Sequence, residues 1–293
     1  MGRRSGRGFT LVELLVVMVV IAILVGLAIP GLSRAMNLCR QVREQAAAGQ
    51  LMVAFHAYAN DSKGLVLTAY PTKKMVSGPI EVVNAAGERL TGEIAQRYPW
   101  RIIPYFSGDF RGLYMDRRVL ETLLESRDYT DAAHSYDYAV SLFPSFGMNG
   151  AWIGGSDLHG QFGGDFRKVF GRPYVTRADE PRRPTSLLTF VSARSQAHSA
   201  LPALTSPEGF FRVESPWFTA ALGRKWDVSY DPVAPLPGAN SGFVSLRRAG
   251  DAVAAMFDGH ARTMGWQDLN DMRHWADQAT GPDWALGSTS SSK

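Results

Sequence analysis

The chain has 293 residues, 45% of them hydrophobic and 20% charged; that is enough for one or two domains with a buried core and too apolar for a disordered polymer. Its 29 glycines and 16 prolines leave little room for an all-helical bundle, and the single Cys39 excludes an internal disulfide framework or a cysteine zinc cluster. Three arginines in the first eight residues, Arg3, Arg4 and Arg7, account for most of the net charge of +4: the 31 basic residues fall to 28 when these are set aside, against 27 acidic ones. A near-neutral body argues against nucleic acid as the main partner, because phosphate binding needs a concentrated basic surface.

Residues 1–8, MGRRSGRG, form a short basic leader. Residues 9–29 follow as an apolar run broken only by Thr10 and Glu13. As a helix this run is roughly 32 Å long, a match to a hydrocarbon core of about 30 Å. The three arginines place its amino-terminal flank in the cytoplasm. Glu13 is out of place. An acid inside an inserted helix is costly and by default functional, with a partner to be named, yet Glu13 lies only about one turn in, where an interfacial acid is tolerated. Gly26-Leu27-Ala28 also offers the small-x-small cleavage site of an ordinary secretory signal; against this, the run is longer than the usual apolar region of about 7–15 residues and contains Glu13.

Gly8-Phe9-Thr10-Leu11-Val12-Glu13-Leu14-Leu15-Val16, set between a basic leader and a long apolar helix, resembles the cleavage and methylation motif of type IV pilins and type II secretion pseudopilins. The resemblance implies that a prepilin peptidase cuts after Gly8 and that the new amine of Phe9 is methylated. It also implies that Glu13 meets the Phe9 amine of a neighbouring subunit during assembly, which gives the acid a cationic partner.

Pro30 and Gly31 offer a kink or brief interruption, after which helix formers resume to residue 60. Leu51, Phe55 and Tyr58 share one face at i, i+4 and i+7. Leu38 and Val42 form another i, i+4 pair, while Arg40, Arg43 and Glu44 supply a polar side. Turn formers at 60–64 end the helix. Residues 9–60 are thus expected to form a rod of roughly 75–80 Å, apolar all round in its first half and amphipathic in its second. Cys39 and His56 receive no chemistry.

Beyond Gly64, runs 65–69 and 79–83 read as strands. Asp116 is a candidate N-cap for a short helix carrying Val119, Leu120, Leu123 and Leu124. The glycine-rich segment 141–173 reads as loop, 186–191 as a buried strand, and 199–242 as a proline-rich insertion crossing the surface. Leu269, Met272, Ala276 and Ala279 have helical spacing. The domain reading is a cleaved leader 1–8, a spine helix 9–60 with a transmembrane part 9–29, an extracytoplasmic globular domain 61–285 and a disordered serine-rich tail 286–293. The fold class is α+β and pilin-like: a long helix packed against a small antiparallel sheet with loop-rich insertions.

Ser145-Phe146-Gly147-Met148-Asn149-Gly150, then Arg183-Pro184-Thr185, then Phe257-Asp258-Gly259-His260 resemble, in that order, a subgroup of large pilin-like proteins with a carboxy-terminal His-x9-Asp-Gly motif and an Asp-Gly-His-Val turn. The chain departs twice: Arg248 stands where the motif has histidine, and Ala261 where it has valine. Residues 253–257 alternate as a half-buried strand, and Asp258-Gly259 predicts a type I′ two-residue turn, with Phe257 facing His260, Ala255 opposite Arg262 and Val253 opposite Met264. His260 is then a hairpin residue, not a metal ligand or base.

No metalloprotease, nucleophile-elbow or P-loop motif is present in the sequence, and no catalytic, cofactor or metal residue is assigned. Asp157, His159 and Asp165 lie on a glycine-rich segment, a cation site to weigh because some pseudopilins hold calcium in a loop; their spacing matches no EF-hand. Trp152, Trp217 and Trp226 either recognise sugar or a partner or pack under loops. The expected protein is not an enzyme. It is a structural subunit of a type II secretion pseudopilus or type IV pilus-like filament, a specialised or minor one by the size of its body. Its partners are prepilin peptidase, the inner membrane and other pilin or pseudopilin subunits. The alternative is a membrane-anchored or secreted surface binding protein, adhesin-like, that does not polymerise.

Overall fold

The computed structural model describes residues 10–78, 80–106, 110–126, 135–199 and 204–287. The chain divides into two units, Met1–Arg43 and Glu44–Lys293. Helix α1 runs Leu11–Asp61 and continues through Pro30-Gly31 without interruption. It stops at Lys63 and Gly64, whose φ of 55° and 83° lie in left-handed space and turn the chain out of the helix.

Within the first unit the large apolar side chains are exposed around the helix, from Leu11 at 80% and Val17 at 47% to Leu27 at 75%. Leu38 and Val42, paired by spacing, are exposed too. In the second unit the helix has one buried face: Glu44, Ala47, Ala48, Leu51, Met52, Phe55 and Ala59 recur at three- and four-residue intervals. Glu44 therefore does not belong to the polar side. It is fully buried.

The sheet is antiparallel, in the order β1 (Phe146–Met148), β2 (Leu188–Ser192), β3 (Ala252–Met256), β4 (Ala261–Met264). Strand β3 is buried on both faces, not half-buried. Val253 and Ala255 join a core with Leu51, Phe55, Tyr98 and Phe190, while Ala252, Ala254 and Met256 join a second core with Trp152, Leu269, Met272 and Trp275. A strand clad on both sides can be apolar throughout. Phe55 of α1 meets Phe190 and Phe257 edge-on, each at 5.8 Å, a favoured aromatic geometry that docks the helix on the sheet.

Several expectations are corrected. Of 65–69, only Leu65 pairs, with Arg177, while the carbonyls of Thr68 and Ala69 accept from the buried Arg101 guanidinium at 2.5 and 3.1 Å. Of 79–83, only Val83 pairs, with Arg89, and Pro79 lies outside the described residues. The segment expected as loop holds β1 and the helix Gly164–Phe170. The 199–242 insertion does not merely cross the surface: Phe211, Val213, Phe218 and Trp226 are buried. The last helix is two short turns, Trp266–Leu269 and Met272–His274, divided where the Asp271 carboxylate accepts the Arg273 amide at 2.9 Å; Leu269, Met272 and Ala276 are nevertheless fully buried. The helix Arg117–Ser126 starts as expected, with Asp116 accepting from the Arg118 amide at 3.0 Å. Leu286, assigned to a disordered tail, is buried and pairs with Thr219; residues 288–293 lie outside the described residues.

Candidate functional site

Gly8 and Phe9 lie outside the described residues. The next part of the motif is built as a capping box. The Glu13 carboxylate accepts from the Thr10 amide at 2.9 Å and the Thr10 hydroxyl at 2.8 Å, and the Glu13 amide donates to Thr10 Oγ1 at 3.3 Å. Such reciprocal bonds satisfy donors that a helix start leaves unpaired. The Thr-x-x-Glu spacing carries that signal in the sequence. It gives Glu13 a local partner, so within one chain the acid is a helix-start residue. Among the described residues no helix is long and apolar enough to cross a membrane; the described run without a polar side chain covers 14–27, about 21 Å at the helical rise.

The second unit buries an ion cluster. Glu44 Oε1 accepts from Ser192 Oγ at 2.6 Å and from Arg247 Nε and Nη2 at 2.9 and 2.5 Å, and Oε2 accepts from Arg248 Nε. Arg247 also donates to the Glu208 carboxylate at 3.0 Å and to the carbonyls of Ala193 and Ser145 at 2.9 and 3.0 Å. Two carboxylates thus face two guanidiniums, and backbone carbonyls take the remaining donors of Arg247, which is what a buried charge requires. Burial would raise the Glu44 carboxyl, but attraction and hydrogen bonding to Arg247, the Ser192 hydroxyl and the Arg248 charge outweigh it and hold the group below the ordinary carboxylate value.

Arg248 pairs with Glu44. A tight turn aims it: Arg248 and Asp251 exchange both backbone bonds, at 2.9 and 3.0 Å, across Ala249 and Gly250, whose φ are 55° and 93°. Positive φ at both central positions is the signature of a type I′ hairpin turn.

The Asp258-Gly259 hairpin forms with a different register. Ala255 pairs with Ala261, Ala254 with Arg262, Val253 with Thr263 and Ala252 with Met264. Of the two turn residues only Gly259 has positive φ, at 100°, so Phe257-Asp258-Gly259 make a three-residue loop in place of the two-residue turn. The reason is Phe257. Its ring is buried against Phe55, its carbonyl lies 2.8 Å from His56 Nε2, and its amide donates to Leu187 O at 2.8 Å, so it cannot face His260. The His260 ring instead sits 2.6 Å from Asp258 Oδ1 at the half-exposed tip.

Asn149, Arg183 and Gly147 hold chain segments together. Buried Asn149 donates to the carbonyls of Leu188 and Trp275 at 2.8 and 2.9 Å. Arg183 Nη2 donates to Asp277 O and Ala279 O at 2.8 and 2.9 Å. At Gly147 a Cβ would fall 2.6 Å from the Arg212 carbonyl carbon, so the backbone approach there needs glycine.

Asp157, His159 and Asp165 do not converge, and no group of three or more potential ligands could hold a metal among the described residues. His159 packs its ring 4.9 Å from Phe218, and burial lowers its pKa to about 4, while Asp165 is fully exposed. Trp152 and Trp226 are buried, their indole N–H groups bonded to Ser215 and to the Glu214 carbonyl, each at 2.9 Å; Trp217 packs on the same core. The indoles of Trp152 and Trp226 are framework.

An amino-terminal helix docked on a four-stranded antiparallel sheet, preceded by a basic leader and an apolar run, defines a pilin-like α+β protein. The prokaryotic N-terminal methylation motif matches residues 3–29, which supports a type IV pilin- or pseudopilin-like chain and, in general terms, processing by prepilin peptidase and assembly with pilin subunits. The match does not reach the Arg248-to-Gly259 segment. No curated protein and no solved structure matches the chain.

Proposed function

We propose that this protein is a structural subunit of a type II secretion pseudopilus or type IV pilus-like filament, cut after Gly8, methylated on Phe9 and held in the inner membrane before assembly with its globular unit outside the cytoplasm. The methylation motif at residues 3–29 carries the reading. It is supported by the apolar side chains exposed around the first part of α1: a helix that is hydrophobic all round needs lipid or other helices as its solvent. The sequence run 9–29 has the length of a span. In this reading lipid covers the run first and neighbouring spines cover it in the filament, where Glu13 exchanges its own-chain Thr10 partner for a neighbour's Phe9 amine. The protein performs no catalysis; its work is mechanical. Glu13→Ala tests the assembly step. The variant is expected to insert in the membrane and to be depleted from filaments relative to the parent. Filament incorporation at the parental level would remove the pairing role from Glu13.

A further inference from the structure

Two residues that line one small cavity of the globular unit each carry a buried nitrogen without a hydrogen-bond partner among the described residues: His159 Nδ1 and Arg212 Nε. Tyr70, Met148, Ser156 and Phe211 complete most of the wall, and the space within has about 10 Å³ of room for the centre of a water molecule. One water needs about that much. Both side chains are held by their other contacts. The His159 ring packs 4.9 Å from that of Phe218, at the end of the short turn Asp157–His159. The Arg212 guanidinium pairs through Nη1 with Glu214 at 2.9 Å, its carbon lies 5.9 Å from the Phe211 ring centre and 5.4 Å from that of Phe243, and its backbone bridges to Met148 of β1. Neither side chain can turn its nitrogen to a protein partner without giving up these contacts. The two atoms are also complementary in kind. Arginine Nε–H only donates, whereas a neutral imidazole has one nitrogen that accepts, and burial keeps His159 neutral, with a pKa of about 4.

We infer that one ordered water molecule binds in this cavity, accepting from Arg212 Nε–H and donating to His159 Nδ1. The Ser156 hydroxyl on the same wall offers a third partner, and a buried water typically takes about three. A dry cavity, or an apolar group in it, would leave both nitrogens unpaired at the desolvation cost of each. A cation would meet the guanidinium, with no acidic residue among the described residues of the wall to hold it. An anion would meet the lone pair of His159. The water joins the turn at Asp157–His159 to the segment beside β1, two parts of the chain more than fifty positions apart, and it fixes the His159 tautomer with its proton on Nε2. The inference does not depend on the filament reading.

The test is a crystal structure of the full chain, grown from detergent at neutral pH and at a resolution that shows ordered water, together with nitrogen NMR of the histidine rings in the same detergent. A water is expected about 2.7–3.2 Å from both His159 Nδ1 and Arg212 Nε. The NMR signal of His159 is expected to show Nδ1 without a proton. His159→Phe keeps a ring beside Phe218 and removes the acceptor; its structure should lose this water and keep the other ordered waters of the globular unit. If that variant does not fold, Arg212→Met removes the donor instead, leaves Glu214 paired with Lys225, and should lose the same water. No water at this position, a direct bond from either nitrogen to another protein group, a proton on Nδ1, or a water of undiminished occupancy in the folded variant would each overturn the inference.

Discussion

Glu44 on the buried face of α1 and Arg248 at the start of a two-residue turn before β3 form an ion pair inside the globular unit, joined by Arg247 on the other carboxylate oxygen. The pair connects residues 204 positions apart and ties the helix to the segment entering the central strand. Buried ion pairs are weak sources of net stability, because desolvation offsets attraction, but removal of one partner strands the others. Glu44→Gln is therefore expected to destabilise the protein by roughly 3–5 kcal/mol at neutral pH, measured by denaturant unfolding. The folded carboxyl titrates below its ordinary value of 4.5, so its contribution is complete above that value and is lost as pH falls through the lower folded value. The gap between parent and Glu44→Gln should narrow in acid; a gap independent of pH would show that the carboxylate charge is not what the cluster uses.

His159 responds in a different window. Burial keeps it neutral, with a pKa of about 4 against an ordinary 6.5. As pH falls below about 6.5 the unfolded chain takes up a proton that the folded chain refuses until about pH 4, so stability declines across that interval, by on the order of 2–3 kcal/mol. His159→Phe keeps a ring beside Phe218 and removes the proton. Its stability should be flatter between pH 6.5 and 4 than the parent's, and identical slopes would contradict the buried neutral histidine.

Two left-handed turn positions should respond oppositely. Ala249 is exposed with φ at 55°, where a Cβ is strained, so Ala249→Gly is expected to raise stability by about 0.5–1 kcal/mol. Gly259 has φ at 100° and open space around a Cβ, so Gly259→Val meets backbone strain alone and is expected to lower stability by about 1–2 kcal/mol. Thermal unfolding of the two variants checks both signs.

The sequence made the amino terminus legible because its signals are local: a basic leader, an unbroken apolar run and a nine-residue motif. The buried strand near 188–192 and the capped helix after Asp116 were legible for the same reason, since composition and a cap act over a few residues. Glu44 was misread because its charge suggested a solvent face, although its spacing from Ala48, Leu51 and Phe55 places it on the buried one. Its arginine partners are 203 and 204 residues away, and no local pattern announces them. The hairpin register failed similarly: Asp-Gly favours a two-residue turn, but Phe257 gains more by packing against Phe55 than by facing His260. Segment 65–69 has strand-like composition, and only the tertiary position of Arg101 explains why the carbonyls of Thr68 and Ala69 are used otherwise.

The central claim is that the chain matures as a prepilin, and the amino terminus of the mature protein tests it most directly. Intact mass and amino-terminal peptide mass spectrometry of the protein from its producing cell should give a chain beginning at Phe9 with one added methyl group on its amine. Gly8→Val, which puts a branched side chain at the scissile junction, should leave the uncut precursor. A mature chain beginning near Ile29, or one retaining Met1-to-Gly8 while the prepilin peptidase is active, would contradict the account.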